Sequence, residues 1–311
     1  MEQIQHKYVD AGGLKLHVAE IGTGPVVVFL HGFPEIWYSW RYQMTAVANA
    51  GFRAIAPDSR GYGLSEQPLE PEKSTFKDLV DDLLTILDSF NISKVFLVAK
   101  DFGVRPAYHF ALLYPERVIG VVSLGLPFML SGAQSFLRET LPDGFYVYRF
   151  AEPGRAETDF GRLDVKTVVR NIYILFSGSE IPIAREDQEI MDLVDPSTPL
   201  PYWFSEEDLA NYARLYEKSG FRTPLQVPYR ARLEGYDGVE ELKVKVPAFV
   251  IMGEKDYVLK FPGLAYFLNE LMRDYVPDVE TTYLPEGSHF VQEQFPDKVN
   301  QLIITFLNKH T

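Results

Sequence analysis

The chain contains no cysteine, which excludes disulfides, thiolate catalysis and cysteine-based metal sites. It has no apolar run approaching the ~18 residues of a membrane-spanning helix. Met1 to Asp10 lacks the apolar core of a secretory signal. The last residues, Asn308-Lys309-His310-Thr311, are not a Ser-Lys-Leu peroxisomal address. Basic residues are outnumbered, 30 Lys+Arg against 43 Asp+Glu, for a formal net charge of -13. That balance disfavours nucleic acid and anionic membrane surfaces. The expectation is a cytoplasmic protein with no membrane insertion and no nucleic-acid partner.

What is present is ample core: 311 residues, 46% of them hydrophobic. This length suits one large α/β domain or a domain with an insertion. Val26 to Leu30, Ala54 to Ala56, Val95 to Ala99 and Val118 to Leu124 read as strands with no polar face, the pattern of a parallel sheet covered on both sides. Thr75-x-x-Asp78 predicts a capped helix with Leu79, Leu83, Leu84 and Leu87 on one face, and Pro106 to Tyr114 predicts the next. From about residue 128 to 230 the alternation gives way to aromatic-rich helical stretches. Ser205-x-x-Asp208 opens one that stops near Gly220. Strands resume at Ala248 to Met252 and Val279 to Leu284, and a single closing helix is predicted over about 292–309.

Chemistry concentrates just after the strands. Val98-Ala99-Lys100-Asp101-Phe102-Gly103 has the small-x-nucleophile-x-small form of a nucleophile elbow, with aspartate at its centre. Asp256 and His289 each follow a later strand. The order nucleophile, acid, histidine is that of a hydrolytic triad. Strand ends of such a sheet face one crevice. Singly, each residue has a plainer reading: Asp101 as a helix cap, Asp256 as a turn residue, His289 as a surface histidine. Their joint order and placement favour the triad.

These motifs resemble the epoxide hydrolase family of the α/β-hydrolase fold, most closely the plant soluble epoxide hydrolases. The resemblance rests on His31-Gly32-Phe33-Pro34-Glu35, Asp58-Ser59-Arg60-Gly61-Tyr62-Gly63, the Asp101 elbow, Glu152-Pro153-Gly154, Pro228-Tyr229-Arg230 and Gly287-Ser288-His289-Phe290. It implies a mostly parallel eight-stranded sheet with flanking helices, formed by residues 1–127 and 231–311. Residues 128–230 would be a helical cap. It also implies that Asp101 opens an epoxide to a covalent ester and that His289, oriented by Asp256, activates the water that hydrolyses it to a vicinal diol. Two cap tyrosines would protonate the epoxide oxygen: Tyr146, on its spacing to Pro153-Gly154, rather than Tyr148, and Tyr229. Backbone N–H groups of Phe33 and Phe102 would form the oxyanion hole, within a loop that includes His31, Gly32 and Pro34. Phe33-Pro34 is a candidate cis peptide. No metal or other cofactor is required. The expected partners are a small apolar epoxide and water, in a monomer or homodimer.

The sequence departs from the family on both sides of the nucleophile, with Lys100 in place of histidine and Phe102 in place of tryptophan. Lys100 is expected either to send its ammonium to solvent or to pair with Glu35 and position the hydrolytic water. Two other functions share parts of the pattern. A haloalkane or haloacid dehalogenase uses the same aspartate ester but needs a halide donor, often an indole; the tryptophans are Trp37, Trp40 and Trp203 only. A non-catalytic small-molecule receptor would have no use for the complete triad.

Overall fold

The computed structural model describes residues 3–130, 132–231 and 235–311. Its centre is one sheet of eight strands: β1 (Gln5–Ala11), β2 (Leu14–Gly22), β3 (Val26–Leu30), β4 (Arg53–Pro57), β5 (Val95–Lys100), β6 (Val118–Leu124), β7 (Ala248–Gly253) and β8 (Val279–Leu284). They lie in the order β1-β2-β4-β3-β5-β6-β7-β8. From β4 through β8 all neighbours are parallel, while β1 and β2 are antiparallel additions at one edge. Every residue of β5 and β7 is buried, because helices cover both faces. The edge hairpin β1–β2 was not among the predicted strands. β1 is mostly exposed and carries charge, so it offers no apolar run.

Helices α1 (Arg41–Asn49), α2 (Phe76–Ser89) and α3 (Val104–Leu113) flank the first half of the sheet. α2 opens with the Thr75–Asp78 capping box and buries Val80, Leu83, Ile86 and Leu87. α3 starts before Pro106, which sits in its first turn, where a missing N–H costs nothing. The closing helix is not continuous. It runs over Val291–Gln294, breaks at Phe295, and restarts at Pro296, which cannot continue the hydrogen-bond ladder.

Between β6 and β7 lie α4 (Ala133–Thr140), α5 (Tyr146–Ala151), α6 (Arg155–Phe160), α7 (Val165–Ser177) and α8 (Glu206–Ser219). A buried polar cluster ties α7 and α8 to the sheet side. Arg41 pairs with Glu293 at 2.6 Å and with Asp208 at 2.9 Å. Tyr173 and Tyr212 donate to Glu293 at 3.3 and 3.1 Å. Removing one partner would strand a buried charge, so these contacts hold the layers in one arrangement. Among the described residues no helix is long and apolar enough to cross a membrane.

Candidate active site

The chain passes from β3 to β4 on one side and later to β5 on the other, so β3 and β5 form the switch point of the sheet. Their pairing, Leu30 beside Ala99, places the loop at His31 against the elbow at Asp101. β7 and β8 pair with Gly253 beside Leu284, which brings the segments carrying Asp256 and His289 together.

Asp101 has φ of +52°, a left-handed conformation that costs a non-glycine residue energy and turns its side chain out of the strand. The neighbours must be small. A Cβ on Gly32 would stand 2.3 Å from Asp101 Oδ1, and one on Gly103 would stand 2.5 Å from the His31 carbonyl oxygen. The Phe33 N–H donates to Asp101 Oδ1 at 3.0 Å, and the Phe102 N–H also faces the carboxylate. The Phe33–Pro34 peptide is cis. His31 fixes this loop from behind: its Nδ1 donates to the Gly32 carbonyl at 2.9 Å and its Nε2 accepts from Ser59 N–H at 3.0 Å.

His289 is fully buried. Its Nδ1 lies 3.0 Å from both carboxylate oxygens of Asp256, which assigns the proton to that nitrogen. Asp256 also accepts from Val258 N–H at 3.0 Å, so it serves as turn cap and histidine partner together. Nε2 of His289 stands 3.3 Å from Asp101 Oδ2, near but not aligned as a hydrogen bond. Burial drives the imidazole toward neutrality and Lys100 adds to that; the Asp256 charge together with the interactions to Asp101 and Asp256 outweighs both and lifts the pKa above the usual value. Burial would raise Asp101, but His289, the Lys100 charge and the Phe102 N–H together hold it below the usual carboxylate range. It is a carboxylate at neutral pH.

Glu35 and Lys100 both lie within this buried set, but they do not pair. Glu35 accepts from the Gln292 side chain at Oε1 and, at 3.4 Å, from Gly32 N–H at Oε2. Burial pushes its carboxyl up to about 7 against the Lys100 charge, with Asp101 and Glu293 adding to the rise. Lys100 corrects both expectations placed on it. It is completely buried, so its ammonium does not reach solvent. Nor does Nζ have any hydrogen-bond partner among the described residues, Glu35 included. Gln292 has taken the Glu35 carboxylate, and the lysine stem instead brings Nζ over the Phe290 ring, 5.3 Å from its centroid. Gly125, at φ of +74°, leaves the room: a Cβ there would meet Nζ at 3.2 Å and His289 Cε1 at 3.3 Å.

Above Asp101 is a cavity of about 460 Å3 lined almost wholly by apolar groups from residues 126–130, Phe136 and Leu137, α5, the 228–229 turn and residues 258–271. Tyr146 and Tyr229 line it together with Asp101, their ring centroids 6.1 Å apart. Burial pushes both phenols above the ordinary tyrosine value, so both keep their protons at neutral pH. Tyr148 does not line the cavity, and its hydroxyl donates to the Leu137 carbonyl at 2.9 Å. Arg230, next to Tyr229, clamps Glu157 through two nitrogens at 2.6 and 2.7 Å and anchors that turn to α6.

Two residues of the site went unnoticed in the sequence. The Tyr257 hydroxyl lies 3.1 Å from that of Tyr146, and its ring packs 5.1 Å from His289. The only signal was its position beside Asp256. Gln292, the partner of Glu35, follows His289 by three positions and lies in the short helix Val291–Gln294.

Comparison with known proteins places this geometry. The α/β hydrolase fold family matches residues 25–296. An Epoxide hydrolase 2 of Siraitia grosvenorii is 37% identical over 99% of this chain and 100% of its own length. A Bifunctional epoxide hydrolase 2 of Sus scrofa is 33% identical over 98% of this chain, which spans 55% of that protein. The crystal structure of an epoxide hydrolase from Vigna radiata superposes with a TM-score of 0.92 at 36% identity, covering 99% of both chains. The chain belongs to the epoxide hydrolases of the α/β-hydrolase fold family.

Proposed function

We propose that this chain hydrolyses an apolar epoxide to a vicinal diol in two steps. Asp101 Oδ2 attacks a ring carbon. The carbon–oxygen bond breaks, and its electron pair stays on oxygen, which takes a proton from Tyr146 or Tyr229. An ester on Asp101 results. Two phenols on one oxygen both supply the acid and orient the ring. Tyr257, bonded to the Tyr146 hydroxyl, stabilises the phenolate left behind.

In the second step His289 Nε2 removes a proton from water, and the hydroxide adds to Asp101 Cγ. Negative charge then develops on Oδ1, where the N–H groups of Phe33 and Phe102 meet it; one such donor is typically worth about 3–4 kcal/mol. Collapse expels the diol alkoxide, which takes the proton held by His289. The proton left on the Asp101 carboxyl returns through solvent to the tyrosine. Glu35, held by Gln292, positions the water, and Lys100 acts on the same step through its charge. Residues 128–230 act as the cap that keeps bulk water from the ester, over a core of residues 1–127 and 231–311.

The observation that carries this reading is the arrangement at Asp101. One oxygen already receives Phe33 N–H, the other faces His289 Nε2, and two protonated phenols share its cavity. A dehalogenase would need a halide donor there, yet none of Trp37, Trp40 and Trp203 lines the cavity. The test is intact-mass analysis of His289→Gln after exposure to a panel of epoxides. A stable adduct on Asp101 is expected. Absence of an adduct with every epoxide that the wild type hydrolyses would refute the mechanism.

A further inference from the structure

One buried cation near the elbow has no part in the chemistry above. Arg105 lies in the first turn of α3, just past Asp101, and is buried. Its guanidinium donates to two backbone carbonyls, that of Met129 through Nη1 at 3.3 Å and that of Gly235 through Nη2. Nε has no hydrogen-bond partner among the described residues. The guanidinium carbon lies 3.5 Å from the centroid of the Tyr236 ring, and the Tyr236 hydroxyl donates to the same Met129 carbonyl at 2.7 Å. Burying a guanidinium against carbonyls and a ring costs free energy that an apolar side chain would not. What the planar fork of arginine adds is the ability to bond two separate carbonyls at once.

Those carbonyls belong to different passages of the chain. Met129 lies on the outward passage, after β6, and Gly235 on the return passage, before β7; the helices α4 to α8 lie between them. Phe128 and Met129 line the cavity together with Asp101 and Phe102. Tyr236 holds both wall residues: its hydroxyl bonds the Met129 carbonyl, and its ring stacks on Phe128 with centroids 5.3 Å apart. His109, one turn further along α3, secures the return passage again, donating through Nε2 to the Asp237 carbonyl at 3.0 Å. We infer that Arg105 is a positioning residue for substrate binding: it ties the outward passage to the return passage and so holds the Phe128–Met129 wall in place against the epoxide. Arg105 does not itself line the cavity. This inference rests on the hydrolytic reading above and adds a support to its substrate-binding wall.

The test follows ester formation and ester hydrolysis separately, by single-turnover kinetics with an apolar epoxide that the wild type hydrolyses. In Arg105→Ala the half-saturating epoxide concentration for ester formation should rise about 10-fold, the scale of losing a hydrogen bond from a charged donor. The maximal rate of ester formation and the rate of ester hydrolysis should stay within about two-fold, because a loosened wall weakens binding of substrate and transition state alike. Arg105 also lines a separate polar pocket of about 330 Å3, which gives a free guanidinium ion a route to the space that alanine leaves. Guanidinium at about 10 mM should restore most of the affinity lost in Arg105→Ala and leave the wild type unchanged, whereas ammonium, which lacks the fork, should restore none. Tyr236→Phe removes only the hydroxyl bond to Met129 and should raise the half-saturating concentration about 3-fold; it decides the question if Arg105→Ala does not fold. An unchanged half-saturating concentration in both variants would overturn the inference. So would a loss spread equally over affinity and both rates that guanidinium does not restore, which is the result of mere support of the fold. Both of those results leave the hydrolytic reading standing. A wild type that hydrolyses no epoxide would bring down that reading and this inference with it.

Discussion

The two sides of the crevice hold their reactive groups by different physics. On the sheet side, Asp101, Asp256, His289 and Glu35 are placed by backbone: strand register, a left-handed turn, glycines that admit no side chain, and donated N–H groups. On the helical side, Tyr146 and Tyr229 are placed by ring packing against Phe33, Phe150 and Phe176. The first arrangement resists displacement, because moving a carboxylate would strand buried charge or force two backbones apart. The second adjusts more readily, since its contacts are non-directional. On the proposed mechanism, covalent chemistry falls to the rigid side and substrate grip to the side that can be re-shaped.

The sharpest way to break this comparison is to remove the nucleophile. Asp101→Asn keeps the shape and the Phe33 contact but removes the charge that attacks carbon. Turnover should fall by about ten-thousand-fold or more, the scale of losing a covalent nucleophile. Steady-state diol formation measures this. If Asp101→Asn retained more than about a hundredth of the activity, with its side chain confirmed as amide by mass spectrometry, the sheet side would not carry the covalent step.

The helical side should give a smaller effect. Tyr146→Phe and Tyr229→Phe each remove one proton donor while preserving the ring and its packing. Each should slow ester formation by about 10²–10³-fold. Ester hydrolysis, which uses His289, should hardly change. Tyr148→Phe, whose hydroxyl is spent on Leu137, should leave both steps alone. Pre-steady-state kinetics separates the steps. An equal loss in Tyr146→Phe and Tyr148→Phe would show that the cavity lining does not identify the acid.

The same contrast explains what could be read from the sequence. Asp101, Asp256 and His289 stood out because a rigid backbone leaves a record: apolar strands, small flanking residues and fixed chain order. The structure brings all three within 3.3 Å of a neighbour in the set. Six of the eight strands were legible, five as apolar runs and β8 as a strand-like run with a polar centre. β1 was not, because an exposed, charged edge strand has no such run, and β2 was not, because Lys15, His17 and Glu20 interrupt its otherwise buried run. Tyr146 and Tyr148 were hard to separate because both lie in one short helix, two positions apart, and only packing shows which one enters the cavity. Tyr257 and Gln292 had no motif of their own. Lys100 was misread in its surroundings: its residue type was plain, but the ring beneath its ammonium comes from Phe290, far along the chain.

Lys100 is also where the comparison can be made finer, because it is a buried sheet-side cation whose Nζ has no hydrogen-bond partner among the described residues. Its charge opposes protonation of His289 and helps keep Asp101 ionised. Lys100→Met keeps the apolar stem and removes the charge. Without that cation the imidazolium becomes easier to form, so the pKa of His289 rises. Neutral His289, the form that accepts a proton from water, is then reached only at higher pH. The acidic limb of ester hydrolysis should move upward by on the order of one pH unit, with the rate recovering in alkali. Glu35 should shift in the same direction, since Lys100 now opposes its rise. Ester formation should not move at neutral pH, because Asp101 starts well below that range and stays ionised. Single-turnover pH profiles of the two steps read this directly. A lysine that merely filled space would lower both rates by one factor at every pH. A charge acting at a distance shifts one limb and spares the other step, and if neither limb moves, Lys100 does not act through its charge.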